Sequence, residues 1–423
     1  MADSYTEVTN KSWGSRMKNA FGGIGTGILL IIAATYLMYW NEGRSVRTGD
    51  AITEAQLVAE ELPSISSVDA SFNGKLVHAV GGTATTDELT DPMFGIKVNN
   101  AVKLRRKVEY YQWIEDSKQE TRTKLGGGQE TVTTYTYRMD WVSNPVNSQS
   151  FKQAAGHENT VRIQAKSEEQ YAKNVTFGAY RLPDFFIRSI SGEQAVPINL
   201  TDDERSELQR VFFSQNPLDT VDNTGNSNLE ENINNSGSQA VRGPNTMINV
   251  QGNFLYIGRR PNQPKVGDMR ISFFEVPAQE ISIIAKVSGD TFAPFRASNG
   301  ENFSKLSMGN QEMSVMFDQA HSANSTMTWI LRIVGILLCI AGIRTVLAPL
   351  RVIADVIPIL GSIVGAGTGL VAGLLGVAWS LVVIAFAWIR FRPVLGISLL
   401  AIAFVLVVLL FLKGRRKSAA QAA

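Results

Sequence analysis

The chain has one cysteine and three histidines in 423 residues. Cys339 alone forms no intramolecular disulfide, and it excludes zinc ribbons, CxxC redox pairs and iron–sulfur clusters. His78, His157 and His321 lie far apart, with no HxxxH or HExxH pair, so no metal site and no cofactor is expected. Charged residues are only 18 % of the chain, against about 25 % in ordinary soluble proteins. The deficit is local: residues 21–40 and 393–412 carry no charge at all, which excludes a simple soluble globule. The charge that is present nearly cancels, 40 Lys+Arg against 38 Asp+Glu for a net +2. That balance gives no electrostatic case for nucleic acid.

The uncharged runs have membrane dimensions. Phe21–Trp40 is twenty residues; at 1.5 Å per residue this is about 30 Å, the thickness of a bilayer core. Lys11, Arg16 and Lys18 precede it and Tyr36, Tyr39 and Trp40 close it as an interfacial belt. A cleaved signal peptide would have a shorter apolar core and a small-residue cleavage site, so the run reads as an uncleaved anchor. A second span is expected at 327–350, with Arg332 and Arg344 within snorkelling reach of the interfaces, and another at Val394–Leu412. Between them Val356–Ile389 is uncharged throughout, about 51 Å if it is one helix. Either its start lies in the interface or it folds back as a hairpin. Four spans place both basic tails, 1–20 and 413–423, on the cytoplasmic side, and five do not. Four spans are therefore expected, although Arg390 and Arg392 then lie outside.

The third span, 361–389, carries Gly361, Gly365, Gly369 and Gly373, each four apart. On a helix they make a smooth stripe of the small-xxx-small type that lets backbones approach closely. The connector at 351–360 lies along the surface, where Arg351 and Asp355 are spaced to pair on one helix face.

Residues 41–326 form one hydrophilic region anchored at both ends. A helix with a Thr N-cap is expected at Thr53–Leu62, and a second at Asp202–Phe213. Strands are expected at Lys75–Val80, Val102–Glu115, Thr131–Val142, Phe254–Ile257, Asp268–Val276, Glu280–Val287 and Thr291–Arg296, with Gly126–Gly128 as a hairpin tip. The stretch 214–253 is rich in Asn, Gln, Ser and Gly and reads as a low-complexity insert. The fold class is thus a four-span α-helical membrane bundle with a large extracytoplasmic β-rich α+β domain inserted between spans one and two. The loop holds no GxSxG elbow and no phosphate-binding glycine loop. His157 reads as a turn residue, and the basic run Lys103, Arg105, Arg106, Lys107 as a wetted strand edge.

Several motifs in order resemble the LUMA family, also called the transmembrane protein 43 family. They include Asn41-Glu42-Gly43-Arg44 after the first span, GKLVH (Gly74–His78), DPMFG (Asp91–Gly95) and Lys103-Leu104-Arg105-Arg106 continuing through Gln112 and Trp113. YTY…W (Tyr135–Trp141), GHEN (Gly156–Asn159), KVGDMRISF (Lys265–Phe273), Thr328-Trp329…Arg332, Asp355…Pro358 and FRP (Phe391–Pro393) complete the match. The resemblance implies four spans, a large lumenal loop and no enzymatic activity. For a eukaryotic source it implies the endoplasmic reticulum and inner nuclear membrane, with self-assembly and partners among inner nuclear membrane and lamina proteins. For a bacterial source it leaves an inner-membrane protein with a periplasmic domain.

The expected function is a non-enzymatic multipass scaffold that homo-oligomerises and organises membrane lipid or membrane-associated partners. A channel or transporter is the alternative. It would need charged groups along a path through the spans, and Arg332, Arg344 and Asp355 all sit near interfaces.

Overall fold

The computed structural model of the chain describes residues 4–213 and 247–398. Strand β1 (Ser4–Lys11) leads into helix α1, Trp13–Val58, capped at its start by the Ser12 hydroxyl. This helix is 46 residues long, about 69 Å. It therefore runs on far beyond the apolar anchor. The separate helix expected at Thr53 is instead its last turns: the Thr53 hydroxyl bonds back to the Gly49 carbonyl and caps nothing.

The β-rich region then unfolds in chain order as β2 (Leu76–Thr85), β3 (Ala101–Thr123), β4 (Gln129–Val142), helix α2 (Asp202–Phe213), β5 (Ile248–Gln251), β6 (Phe254–Ile257), β7 (Met269–Pro277) and β8 (Glu280–Ser288). Ile248–Gln251, assigned above to the low-complexity insert, pairs with β6 as a hairpin strand; the rest of that insert, up to residue 246, lies outside the described residues. One sheet runs β1-β4-β3-β7-β6-β5, antiparallel throughout, and a second is built around the antiparallel pair β2 and β8. Their facing sides share one core, in which Val77, Phe177, Ile281 and Ile283 meet Val108, Leu255, Ile271 and Phe273.

The chain then enters α3 (Met313–Val346), turns through the short α4 (Ala348–Ala354) and returns in α5 (Pro358–Phe391). α5 is one continuous helix of 34 residues, so the run from Val356 does not fold back on itself. α1, α3 and α5 are the three helices among the described residues that are long and apolar enough to cross a membrane. Pro393–Ser398 begin another helical stretch, and the remainder of the fourth expected span lies outside the described residues.

Helix α1 joins the two parts. Ile52 and Ala55, near its far end, are buried with Leu76, Ile284, Phe303, Met316 and Phe317, so the anchor helix continues directly into packing with the β-rich region.

The expected tail at 1–20 is not a free tail. β1 completes the edge of β4 in register from Ser4↔Thr136 to Lys11↔Gln129, covering a row of backbone groups that would otherwise stay unpaired. The outer halves of β3 and β4 together with β1 form a three-stranded arm, mostly Thr, Glu, Gln and Lys, a composition for water and not for hydrocarbon. Its tip returns to the start of α1: the Arg16 guanidinium donates to the Gly127 carbonyl (2.5 Å), and Gly126 N–H to the Val356 carbonyl (3.0 Å). The tip of the arm therefore touches the first turn of α1, whereas a crossing of the membrane by α1 would place the two on opposite sides. A Val8→Cys/Val132→Cys pair, directly opposed in register, is expected to oxidise to a disulfide in the full-length protein in liposomes. Two thiols that label freely with maleimide but never cross-link would show that β1 leaves the sheet when a bilayer is present.

Candidate functional site

The helix interface is built from small residues at heptad spacing. α1 buries Gly27, Ala34, Met38, Asn41 and Ser45, and α3 buries Thr328, Arg332, Gly335, Cys339 and Gly342. These intervals of three, four and seven keep one seam facing the partner. Gly27 and Gly342 meet backbone to backbone: a Cβ on either would lie 2.7 Å from the carbonyl oxygen of the other. Gly335 admits the Met38 side chain, and Gly376 of α5 sits against Ile340.

The expected stripe on α5 is divided. Gly361 lies against Asp355 and Gly365 against the Arg351 side chain, whereas Gly369 and Gly373 have no other side chain or helix within Cβ reach among the described residues. The glycines that bring α1 and α3 together are Gly27 and Gly342, which the four-residue spacing did not find. The seven-residue interval from Gly335 to Gly342, with Thr328 and Cys339 in phase, was the readable signal.

At the domain-side end of this seam lies a buried polar cluster. Glu42 is fully buried, and Arg332 grips it with both arms of the guanidinium, Nε to Oε1 at 2.6 Å and Nη2 to Oε2 at 2.8 Å. The Trp388 indole of α5 donates to the same Oε2 (2.8 Å), and the guanidinium lies over the rings of Trp329 (4.8 Å) and Trp388 (5.7 Å). Asn41 donates to the Thr328 carbonyl, and Arg44 reaches Asn324, Asn41 and the Thr328 hydroxyl. Gly43 leaves room for the Phe391 ring, which a Cβ would strike. Arg332 is thus not snorkelling to an interface. It is desolvated on Glu42, a carboxylate 290 positions away in sequence.

At the opposite end, Asp355 is also buried, and its ion-pair partner is Arg16 of α1. The pairing with Arg351 expected from the four-residue spacing is replaced, because α4 ends at Ala354 and Asp355 turns toward α1. The Trp13 indole fixes the same corner by donating to the Val352 carbonyl (2.9 Å).

In the β-rich region, Lys103, Leu104, Arg105 and Arg106 open β3, where even-numbered residues from 102 to 112 face the core. Arg106 is therefore buried, and its guanidinium donates to Asp91 (2.5 Å), Glu168 (2.8 Å) and the Lys166 carbonyl (2.9 Å). Asp91 opens the DPMFG turn: its other oxygen accepts from Met93 and Phe94 N–H, and Gly95 closes the turn at φ +69°. Gln112, also fully buried, bonds the Thr160 carbonyl and Val146 N–H.

Lys103 and Arg105 converge on Glu193, and the hydrogen bond from Arg105 holds that carboxyl down at about 2. Lys107 pairs with Glu109. The basic run is thus matched by carboxylates on all four residues, one of them in the core. The Trp113 backbone N–H donates to the side-chain oxygen Oδ1 of Asn159, while His157 lies between the Trp113 ring (4.8 Å) and the Tyr137 ring (4.0 Å). GHEN, YTY and YYQW are therefore one packed unit. No group of three or more His, Cys, Asp or Glu able to hold a metal occurs among the described residues.

Buried pairs at the ends of an apolar helix seam, surmounted by a β-rich region, define an integral membrane protein. The chain belongs to the transmembrane protein 43 family, whose profile matches residues 110–393. It is 27 % identical to human "Transmembrane protein 43" over 401 residues, 92 % of this chain and 90 % of the relative. It is 26 % identical to the Drosophila melanogaster "Transmembrane protein 43 homolog" over 88 % of this chain and 90 % of the relative. No solved structure matches. These names describe a transmembrane protein, and no catalytic family is indicated.

Proposed function

We propose that the chain is a non-enzymatic membrane scaffold that self-assembles and holds its β-rich region at a fixed height and orientation over the bilayer. The observation that carries this reading is α1, one unbroken helix from the apolar anchor through Asn41–Arg44 into the packing around Ile52 and Ala55. A hinge at the membrane surface would uncouple the two parts. Here the linkage is helical backbone, locked sideways by Glu42, Arg332 and Trp388. Such coupling serves a protein whose task is to position surfaces.

Self-assembly draws on Gly369 and Gly373, which leave one face of α5 smooth, with no neighbour at Cβ reach among the described residues, as close helix approach in a membrane requires. The partners in this reading are membrane lipid and further copies of the chain. Inner nuclear membrane and lamina proteins join them in a eukaryotic host; a bacterial host limits the role to inner-membrane organisation.

The test is the mass of the full-length protein in native nanodiscs. A multi-copy particle that falls to a single copy on Gly369→Leu/Gly373→Leu is expected. A wild-type protein found only as single copies would end the self-assembling scaffold reading.

A further inference from the structure

Beside the buried pair, on the domain side of the apolar belt, a cavity of about 600 Å³ lies between α1, α3 and the end of α5. One part of its wall is apolar: Trp329, Phe391 and Leu395. The rest is mostly polar: Arg332 is already held by Glu42, whereas Arg392 and Asp50 carry opposite charges. Neither charge has an ion-pair partner among the described residues, in contrast to Arg16, Arg106 and Arg332. An arginine and an aspartate facing one cavity without meeting each other leave room for a ligand that separates the two charges.

Their heights fix its orientation. Arg392 follows Phe391, whose ring sits on Gly43 at the edge of the apolar run. Asp50 lies seven residues further along α1, about 10 Å farther from the bilayer centre. The cavity therefore presents apolar surface and a cation at the membrane edge, and an anion outside them.

We propose that this cavity binds the headgroup of a zwitterionic phospholipid with a primary ammonium, of the phosphatidylethanolamine type. Such a lipid carries its phosphate next to the glycerol and its ammonium an ethylene unit further out, the order in which Arg392 and Asp50 are stacked. Arg392 takes the phosphate oxygens by the charge-assisted hydrogen bonding in which guanidinium excels. Asp50 accepts from the ammonium, and the acyl chains leave past Leu395 and Trp329 toward the bilayer. A purely anionic headgroup would satisfy Arg392 but would bring its charge toward Asp50. The inference rests on membrane embedding, which family membership carries, and not on self-assembly.

The experiment is native mass spectrometry of the full-length detergent-solubilised protein, titrated with dioleoyl phosphatidylethanolamine and, separately, dioleoyl phosphatidylglycerol. Wild type is expected to retain phosphatidylethanolamine preferentially. Asp50→Asn is expected to weaken that retention about tenfold, the worth of one charge-assisted hydrogen bond, and to leave phosphatidylglycerol undiminished. Arg392→Gln is expected to weaken both lipids, and Asp50→Lys to invert the preference. Asp50 is exposed and has no ion-pair partner among the described residues, so its variants keep the fold, which an unchanged melting temperature verifies. Equal retention of the two lipids by wild type, or a preference unchanged in Asp50→Lys, would overturn the proposal.

Discussion

Arg332→Ala in the full-length protein is expected to destabilise the helix bundle by about 3–5 kcal/mol, the cost of leaving one member of a buried ion pair without its partner. Glu42 is wholly inaccessible, and its carboxylate has three donors: two from Arg332 and one from Trp388. Removal of the guanidinium leaves a single indole N–H to hold a carboxylate away from water. Glu42→Ala is expected to do comparable damage by stranding Arg332 between two tryptophans. The double replacement Glu42→Leu/Arg332→Met removes both charges and keeps the volume, so it should recover most of the loss. Thermal unfolding in mild detergent, followed by the loss of monodisperse protein on gel filtration, measures all three. A double variant worse than either single, with the losses simply adding, would show that the pair does not act as a unit.

The second large effect belongs to Arg106, where replacement by alanine is again expected to cost about 3–5 kcal/mol. Among the described residues the guanidinium is the only charged donor to the buried Asp91, whose other oxygen is occupied by the DPMFG turn. Loss of Arg106 therefore leaves a carboxylate inside the sandwich and unlatches a turn that carries Phe94 into the core. Arg105, its neighbour in sequence, points the other way and pairs with the half-exposed Glu193. Arg105→Ala is expected to cost less than about 1 kcal/mol, as surface pairs do. The two substitutions differ by one residue in position and severalfold in effect. The comparison reads out the alternation of β3 directly: equal losses at the two positions would mean that Arg106 is not turned inward in the folded protein.

Both predictions concern motif residues, and both sites are explained by packing. Asn41–Arg44 closes on Thr328, Arg332 and Phe391; DPMFG closes on the KLRR strand; GHEN closes on YYQW and YTY. Each motif is half of a contact, and its partner is another motif distant in the chain. None assembles a nucleophile with a base, or a ligand set for a metal.

The sequence alone determined the features that are local in origin. Long uncharged runs must be helices where no water satisfies the backbone, and α1, α3 and α5 form there. Alternation and turn residues placed β3, β4, β6, β7 and β8 and the tip at Gly126–Gly128 within a residue or two at most of their ends, β3 apart, which runs on into the arm. The run Asp202–Phe213 is a helix with the bounds its spacing implies.

What only the tertiary structure decided is which partner each buried charge takes. Spacing offered Arg351 to Asp355 and water to Arg332 and Arg106. Folding supplied Arg16, Glu42 and Asp91, two of them from across the chain. The physical reason is desolvation: a charge removed from water must find its complement within hydrogen-bond reach, wherever in the chain it lies. Sequence proximity has no part in that choice. The same holds for Gly27 and Gly342, whose closeness is a property of two helices crossing and not of either one, and for β1, which an apolar pattern could not place because its contribution is an edge of backbone hydrogen bonds.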